Sequence, residues 1–233
     1  MSQKPILLIL GSGPRIGASL TSTFTPLYTV ALASRRGTNT LDPSTGILSL
    51  AADLTQPSSV PGVFAAVHAH LHRYPSVVIY NAAALTNPAE QGAPLSVPLD
   101  RVLADLNVNV VSPFVAAQEA VKGWEKDGES GSGEKKTFIY TGNILNTTIM
   151  PVPMLVNLGV GKAASAFWIG VSDASYKAKG YRFFYADERK ADGNSKGNDI
   201  SGPAHGDFYK QLTEHVDVPW HATFVEGKGY VKF

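Results

Sequence analysis

Cysteine is absent from all 233 residues. That excludes a disulfide framework, a thiolate nucleophile, a cysteine-held zinc and an iron–sulfur cluster. A surplus of either charge is absent too, since 20 Lys and Arg face 19 Asp and Glu and leave a net +1. Nucleic-acid and anionic-membrane binders normally carry a basic excess, so neither partner is expected. Charged residues are scarce at 17%, but 44% of the chain is hydrophobic, enough to argue against global disorder. No uninterrupted run of about 20 apolar residues occurs. The first apolar run, ending at Leu10, is short for a signal peptide and is broken at once by Gly11. These absences predict a cytoplasmic protein, its chemistry resting on oxygen and nitrogen groups or on a cofactor. With no export signal, the glycosylation pattern at Asn146-Thr147-Thr148 is read as accidental. His68, His70 and His72 crowd one helix end without the spacing of metal ligands, so no metal is expected.

What is present is an alternation. Short apolar runs at 6–10, 29–33, 47–51, 77–80, 137–141, 182–186 and 222–225 read as strands. Helical patterns at 16–24, 58–72, 99–124 and 155–176 lie between most of them. Such alternation predicts one α/β domain over residues 1–233: a Rossmann-like three-layer α/β/α fold with a mostly parallel, seven-stranded sheet. Residues 35–46 are too polar and broken for a good crossover helix, so the helix between the second and third strands is expected to be shortened or absent. Residues 125–136, with Gly128, Gly131 and Gly133 among charges, read as a flexible turn.

The first strand runs into Gly11-Ser12-Gly13-Pro14-Arg15-Ile16-Gly17. Glycine permits the tight turn and a close backbone approach, and the following helix N-terminus attracts a diphosphate. NAD binders usually end the second strand with an acid that grips the ribose. Here it ends Ser34-Arg35-Arg36, two cations suited to a 2′-phosphate, so NADP(H) is the expected cofactor.

From Pro5 to Ala186 the chain resembles the short-chain dehydrogenase/reductase family. Gly11 and Gly17 match its glycine turn, with Arg15 in place of the middle glycine. Asp53-Leu54 is similar to the acidic–apolar pair that faces the adenine. Asn81-Ala82-Ala83 is similar to the segment after the fourth strand, and Asn109 matches the helix asparagine. The resemblance implies a tetrad in which a tyrosine moves the proton, a lysine holds the nicotinamide ribose and a serine steadies the substrate oxygen. Lys162 matches the lysine, and Asn109 would support it through water. Leu158 stands at the tyrosine position. Asn143 stands at or near the serine position, with Asn146 as its competitor, and can donate to a carbonyl oxygen. Thr141 ends the same strand.

Tyr185, Asp187, Glu188 and Arg189 replace the family's Pro-Gly. Each is read as a substitute proton donor, a substrate anchor or a surface cluster. Residues 187–215 form the expected substrate loop, with 191–198 a mobile lid. His205 is read as a surface histidine at a helix start. Apolar groups at 150–156, 183–185 and 208–209 suggest a hydrophobic small-molecule substrate. The resemblance also implies a homodimer or homotetramer through 99–124 and 155–176. Three functions remain open at this point. The first is an NADPH-dependent reductase of a carbonyl or unsaturated compound. The second is a non-redox catalyst or regulatory homologue that keeps the NADP(H) pocket. The third is an inactive structural partner.

Overall fold

A computed structural model describes residues 4–128, 134–215 and 217–233. The strands are β1 (Ile6–Leu10), β2 (Thr29–Ser34), β3 (Thr40–Leu41), β4 (Leu48–Ala51), β5 (Val77–Tyr80), β6 (Lys136–Thr141), β7 (Tyr181–Arg189), β8 (His221–Val225) and β9 (Gly229–Tyr230). They join one sheet in the order β3-β4-β2-β1-β5-β6-β7-β8-β9. The central strands β4 to β8 pair in parallel, as the alternation predicts. The count is nine rather than seven because two-residue antiparallel ribbons, β3 and β9, cap the two edges. These ribbons lie in polar or glycine-bearing turns, where no apolar run announces a strand.

Burial on both faces explains why the central strands read as continuous apolar runs. Along β1, Ile6, Leu8 and Leu10 enter one core while Leu7 and Ile9 enter the other. The first core is covered by α2 (Val60–Leu71), α4 (Ser112–Gly128) and α5 (Val156–Tyr176). The second is covered by α1 (Ile16–Phe24) and α6 (Gly202–Thr213). Pro153–Lys179, which includes α5, is long and apolar enough to cross a membrane by length and composition, with mean hydropathy 1.4. Its inner face nevertheless buries Asn157, Lys162, Ser165 and Asp173 against the protein, as a core helix does.

No helix joins β2 to β4. Asp42 accepts from Ser44 N at 2.8 Å and Gly46 turns the chain at φ +69°, which folds β3 back onto β4. A Cβ on Gly37 would lie 1.9 Å from the Leu50 carbonyl oxygen, so the chain after Arg36 rests directly on β4. This contact holds Arg35 and Arg36 at the sheet's C-terminal edge.

The long helical pattern at 99–124 is not one regular helix. α3 (Leu99–Leu106) passes into a π-helical turn at Asn107–Val111 before α4 begins. Such turns insert one residue and re-aim the side chains around it. α4 runs on to Gly128, so the flexible turn starts later than expected; Gly131 and Gly133 lie outside the described residues.

Candidate active site

The strand order reverses at β1, and the crevice at that reversal is the usual ligand site of an open parallel sheet. The glycine turn forms its floor. Gly11 adopts φ +94°, and a Cβ there would lie 2.5 Å from Ala82 N. Gly17 lines no cavity; a Cβ there would lie 2.7 Å from the Ser12 carbonyl carbon, so it packs the turn rather than touching a ligand. Gly13 differs from both. Nothing stands within 4 Å of where its Cβ would be, which leaves a cradle above the α1 N-terminus.

A cavity of about 760 Å³ opens over this turn. Gly11, Ser12, Gly13 and Pro14 line it, with Ser34, Arg35 and Arg36 at one end. Asp53 and Leu54 form a further wall, and Asn81, Ala82 and Ala83 face them. Sequence reasoning missed Ala52, Thr55, Ala84 and Val108, small or apolar wall residues with no chemical signature. Asp53 turns one carboxylate oxygen back onto Thr55, accepting from its N–H at 3.0 Å and its hydroxyl at 2.8 Å.

A second cavity of about 360 Å³ continues from the first, sharing Gly13, Pro14, Asn81 and Ala83 with it. Arg15, Ile16, Thr141, Asn143 and Lys162 line it, as does Leu158 one helical turn before Lys162. At the seam, Asn81 Nδ2 donates to the Gly11 carbonyl at 2.9 Å, while its Oδ1 is buried without a hydrogen-bond partner among the described residues. The orphaned acceptor, the open cradle at Gly13 and the exposed arginine pair together fit an extended phosphorylated nucleotide.

Lys162 reaches the second cavity from α5. Its Nζ donates to the Thr141 carbonyl at 2.7 Å and lies 4.4 Å from the centre of the Tyr140 ring. Burial pushes its pKa down to about 7, with the negative charge of Asp187 acting the other way. Asn143 spends its Oδ1 on Leu145 N at 3.1 Å. With Oδ1 so engaged, its amide nitrogen supplies the side chain's donor capacity toward the cavity. Asn146 lines a different cavity, and its Nδ2 stands 3.2 Å from His221 Nε2.

Several expectations need correction. Tyr185 is fully buried and lines no cavity. Its hydroxyl donates to the Asn143 carbonyl at 2.8 Å and accepts from Asn143 N at 3.1 Å, and burial holds its proton on. It positions the turn that carries Asn143 and does not serve as a proton donor. Asn109 is also fully buried. Its side chain exchanges hydrogen bonds with the Ala84 backbone at 3.0 and 2.7 Å. Its carbonyl accepts from Tyr140 Oη at 2.9 Å and Ser165 Oγ at 2.7 Å. The Tyr140 side chain thus contacts both the Asn109 carbonyl, through its hydroxyl, and Lys162, through its ring.

Asp187, Glu188 and Arg189 are not a surface cluster. β7 extends through Arg189 and pairs with β8, burying all three. Asp187 Oδ2 accepts from Arg189 Nε at 2.6 Å. Burial raises the Asp187 carboxyl to about 6, against the pull of Arg189 and Lys162. His205 is 1% exposed and lines the second cavity. Its Nδ1–H donates to the Ser201 carbonyl at 2.7 Å, and burial lowers its pKa to about 4, so it is neutral at pH 7. Position at a helix start suggested exposure, but α6 packs that face onto α1 and the end of β7.

The 191–198 segment, expected to be a mobile lid, is fastened. Arg15 Nη1 donates to the Asn198 carbonyl at 3.0 Å, and Lys196 lies 3.2 Å from Glu188 Oε1 and 3.0 Å from Glu226 Oε2. Ser195, Lys196, Gly197 and Ile200 thereby form one wall of the second cavity. The apolar groups at 183–185 and 208–209 are core. Those at 150–156 do line a cavity, about 630 Å³, beside the Leu158 turn.

No family model matches the chain. A curated relative, the short chain dehydrogenase/reductase dmxR12 of Cryptosporiopsis sp. (strain 8999), is 39% identical over 242 residues, covering 98% of this chain and 95% of its own. Among solved structures, the 3-ketoacyl-(acyl-carrier-protein) reductase from Brucella melitensis complexed with NADH superimposes with TM-score 0.77 at 13% identity, covering 97% of this chain and 98% of that one. A short chain dehydrogenase from Burkholderia cenocepacia J2315 in complex with NADP gives TM-score 0.73 at 17% identity, with 97% and 98% covered. The sheet order, the glycine turn over the crevice and the near full-length likeness to dmxR12 agree: the chain belongs to the short-chain dehydrogenase/reductase family of oxidoreductases.

Proposed function

We propose that this protein is an NADPH-dependent reductase acting on the carbonyl, or another unsaturated bond, of a small apolar molecule. The observation that carries the reading is one continuous cleft running from Arg35 and Arg36, past the glycine turn, to buried Lys162. Relatives of the same fold are seen with NADH and with NADP. The choice therefore rests on this chain's own rim, where two guanidinium groups favour a 2′-phosphate.

When bound, NADPH supplies a hydride to the substrate carbon. The chain's residues do the rest. The α1 N-terminus and the Gly13 cradle hold the diphosphate. Asn143 donates to the carbonyl oxygen and stabilises the charge that builds there. On this reading Leu158, which lines the cavity, takes the place of the family's tyrosine and leaves that position without a hydroxyl. Lys162 fills this role: its ammonium gives a proton to the oxygen, becomes a neutral amine and is recharged from solvent. The apolar cavity lined by Leu145, Met150, Val152, Val156 and Val160 holds the substrate body. A cytoplasmic homodimer or homotetramer belongs to the same reading, without nucleic-acid or membrane partners. Exposed Phe114, Phe167 and Val171 on α4 and α5 would form its interface, and sedimentation tests it.

Leu158 also favours a second reading, a non-redox or regulatory homologue that keeps the NADP(H) pocket. Fluorescence titration with NADPH and NADH separates the two. The expected result is tighter NADPH binding and its oxidation in the presence of an apolar ketone from a broad panel. Tight binding without oxidation across the panel supports the second reading. R35A combined with R36A should weaken NADPH by roughly tenfold or more, the scale of lost charge-assisted hydrogen bonds, and leave NADH unchanged. An unaltered preference overturns the phosphate assignment.

A further inference from the structure

We propose that Asp187 is the buried counter-ion of Lys162, a positioning residue that keeps the ammonium charged and aimed into the reaction cavity. The inference rests on the reading of Lys162 as the proton donor. Asp187 is 0% exposed. It follows Tyr185 by two residues on β7, so both side chains leave the same face of the sheet, the face that α5 covers. The β6–β7 register sets Thr141 opposite Ala186, and Gly142 N donates to the Ala186 carbonyl at 2.7 Å. Lys162 donates to the carbonyl of that same Thr141. The ammonium and the carboxylate are thus brought to one spot, the adjoining C-terminal ends of β6 and β7. Arg189 occupies Oδ2, while Oδ1 is buried without a hydrogen-bond partner among the described residues.

The neighbouring charges do not replace it. Lys196 is matched by Glu188 and Glu226, and Arg15 is turned toward Asn198. His205 is neutral at pH 7. The phenols of Tyr140, Tyr185 and Tyr209 keep their protons because burial raises all three. Arg189 is held by Asp187 Oδ2 and by the Gly193 carbonyl. A buried lysine without an anion nearby loses its proton near neutrality, and a nearby carboxylate reverses that loss.

The test uses cofactor-free protein labelled with ¹³C at lysine side chains, with K162R assigning the Lys162 resonance. Its titration midpoint should fall by about one pH unit in D187N, a tenfold drop in the charged fraction above the midpoint, and return in D187E. Coupling is reciprocal, so in K162M the ¹³C-labelled Asp187 carboxyl should titrate higher than in the unmodified protein; this arm stands even if D187N does not fold. In turnover, activity falls as pH rises through the Lys162 midpoint, and D187N should shift that alkaline limb to lower pH with KM unchanged. Unmoved midpoints in D187N or in K162M overturn the proposal. A failure of the NADPH reading would appear instead as absent nucleotide binding, with the titrations still readable.

Discussion

At the Arg35 end of the cleft the walls are mostly backbone and exposed side chains; at the Lys162 end buried titratable groups stand in the wall or just behind it. Gly11, Gly13 and Gly17 shape the first end by what they omit, since a Cβ at Gly11 or Gly17 would strike neighbouring backbone. Lys162, Glu188 and His205 line the second, with Asp187 and Arg189 flanking Glu188 on β7, each nearly or wholly removed from water. A backbone site depends on conformation and tolerates change in the surrounding side chains. A site of buried charges depends on every partner being present, because removing one leaves another unpaired in a poor solvent. The glycine-turn end is thus set by local backbone conformation, whereas the Lys162 end is set by which polar groups the fold buries together.

Three further measurements sharpen or break that contrast. The largest effect is expected at Lys162. K162M should lower the reduction rate by roughly 10²–10⁴, the range of general acid catalysis, while weakening NADPH by much less. An equal loss in both would merge the two ends into one unit. Next comes His205, neutral in the fold with a pKa of about 4 against an ordinary 6.5. The unfolded chain takes up the proton first, so this stability is fully present above pH 6.5 and is lost as pH falls toward 4. H205Q should remove about 3 kcal/mol of that acid destabilisation, read as a flatter denaturation profile between pH 6.5 and 4 relative to the unmodified protein. Asp187, whose carboxyl is raised to about 6, works the other way, gaining stability as pH falls through 6. It is common to both proteins in the comparison and cancels. An unchanged profile would mean His205 is hydrated. The smallest effects separate the glycines. G11A should cost about 2 kcal/mol of stability, through its positive φ and the clash with Ala82. G13A should leave stability nearly unchanged and weaken NADPH roughly tenfold by filling the cradle. The reverse pattern would remove Gly13 from the ligand's path.

Much of the first end was legible in the sequence. Glycines after an apolar strand and arginines at the next strand's end are local signals, and local signals survive into the fold. Gly37 was not read, because its close approach to Leu50 is a contact between strands. The second end was legible only in part. The family resemblance pointed to Lys162, Asn143 and Leu158, and all three line one cavity. Tyr185 and Asn109 are expected at the site but stand in the core beside it, their polar atoms serving the backbone of Asn143 and Ala84. His205 reads as a surface residue from its place at a helix start, and the burial of 187–189 has no sequence signal because polar residues are mostly exposed.

By itself the sequence determined the layered α/β plan, the position of the glycine turn and the pair of arginines beside it. Hydrophobic period and backbone freedom are properties of short segments, and they need no partner to be read. Only the tertiary structure decided which polar groups leave water. Extending β7 to Arg189 and packing α6 against its end bury Asp187, Glu188 and His205 around one lysine. Burial depends on residues far apart in the chain, and burial is what moves the proton affinities on which the chemistry turns.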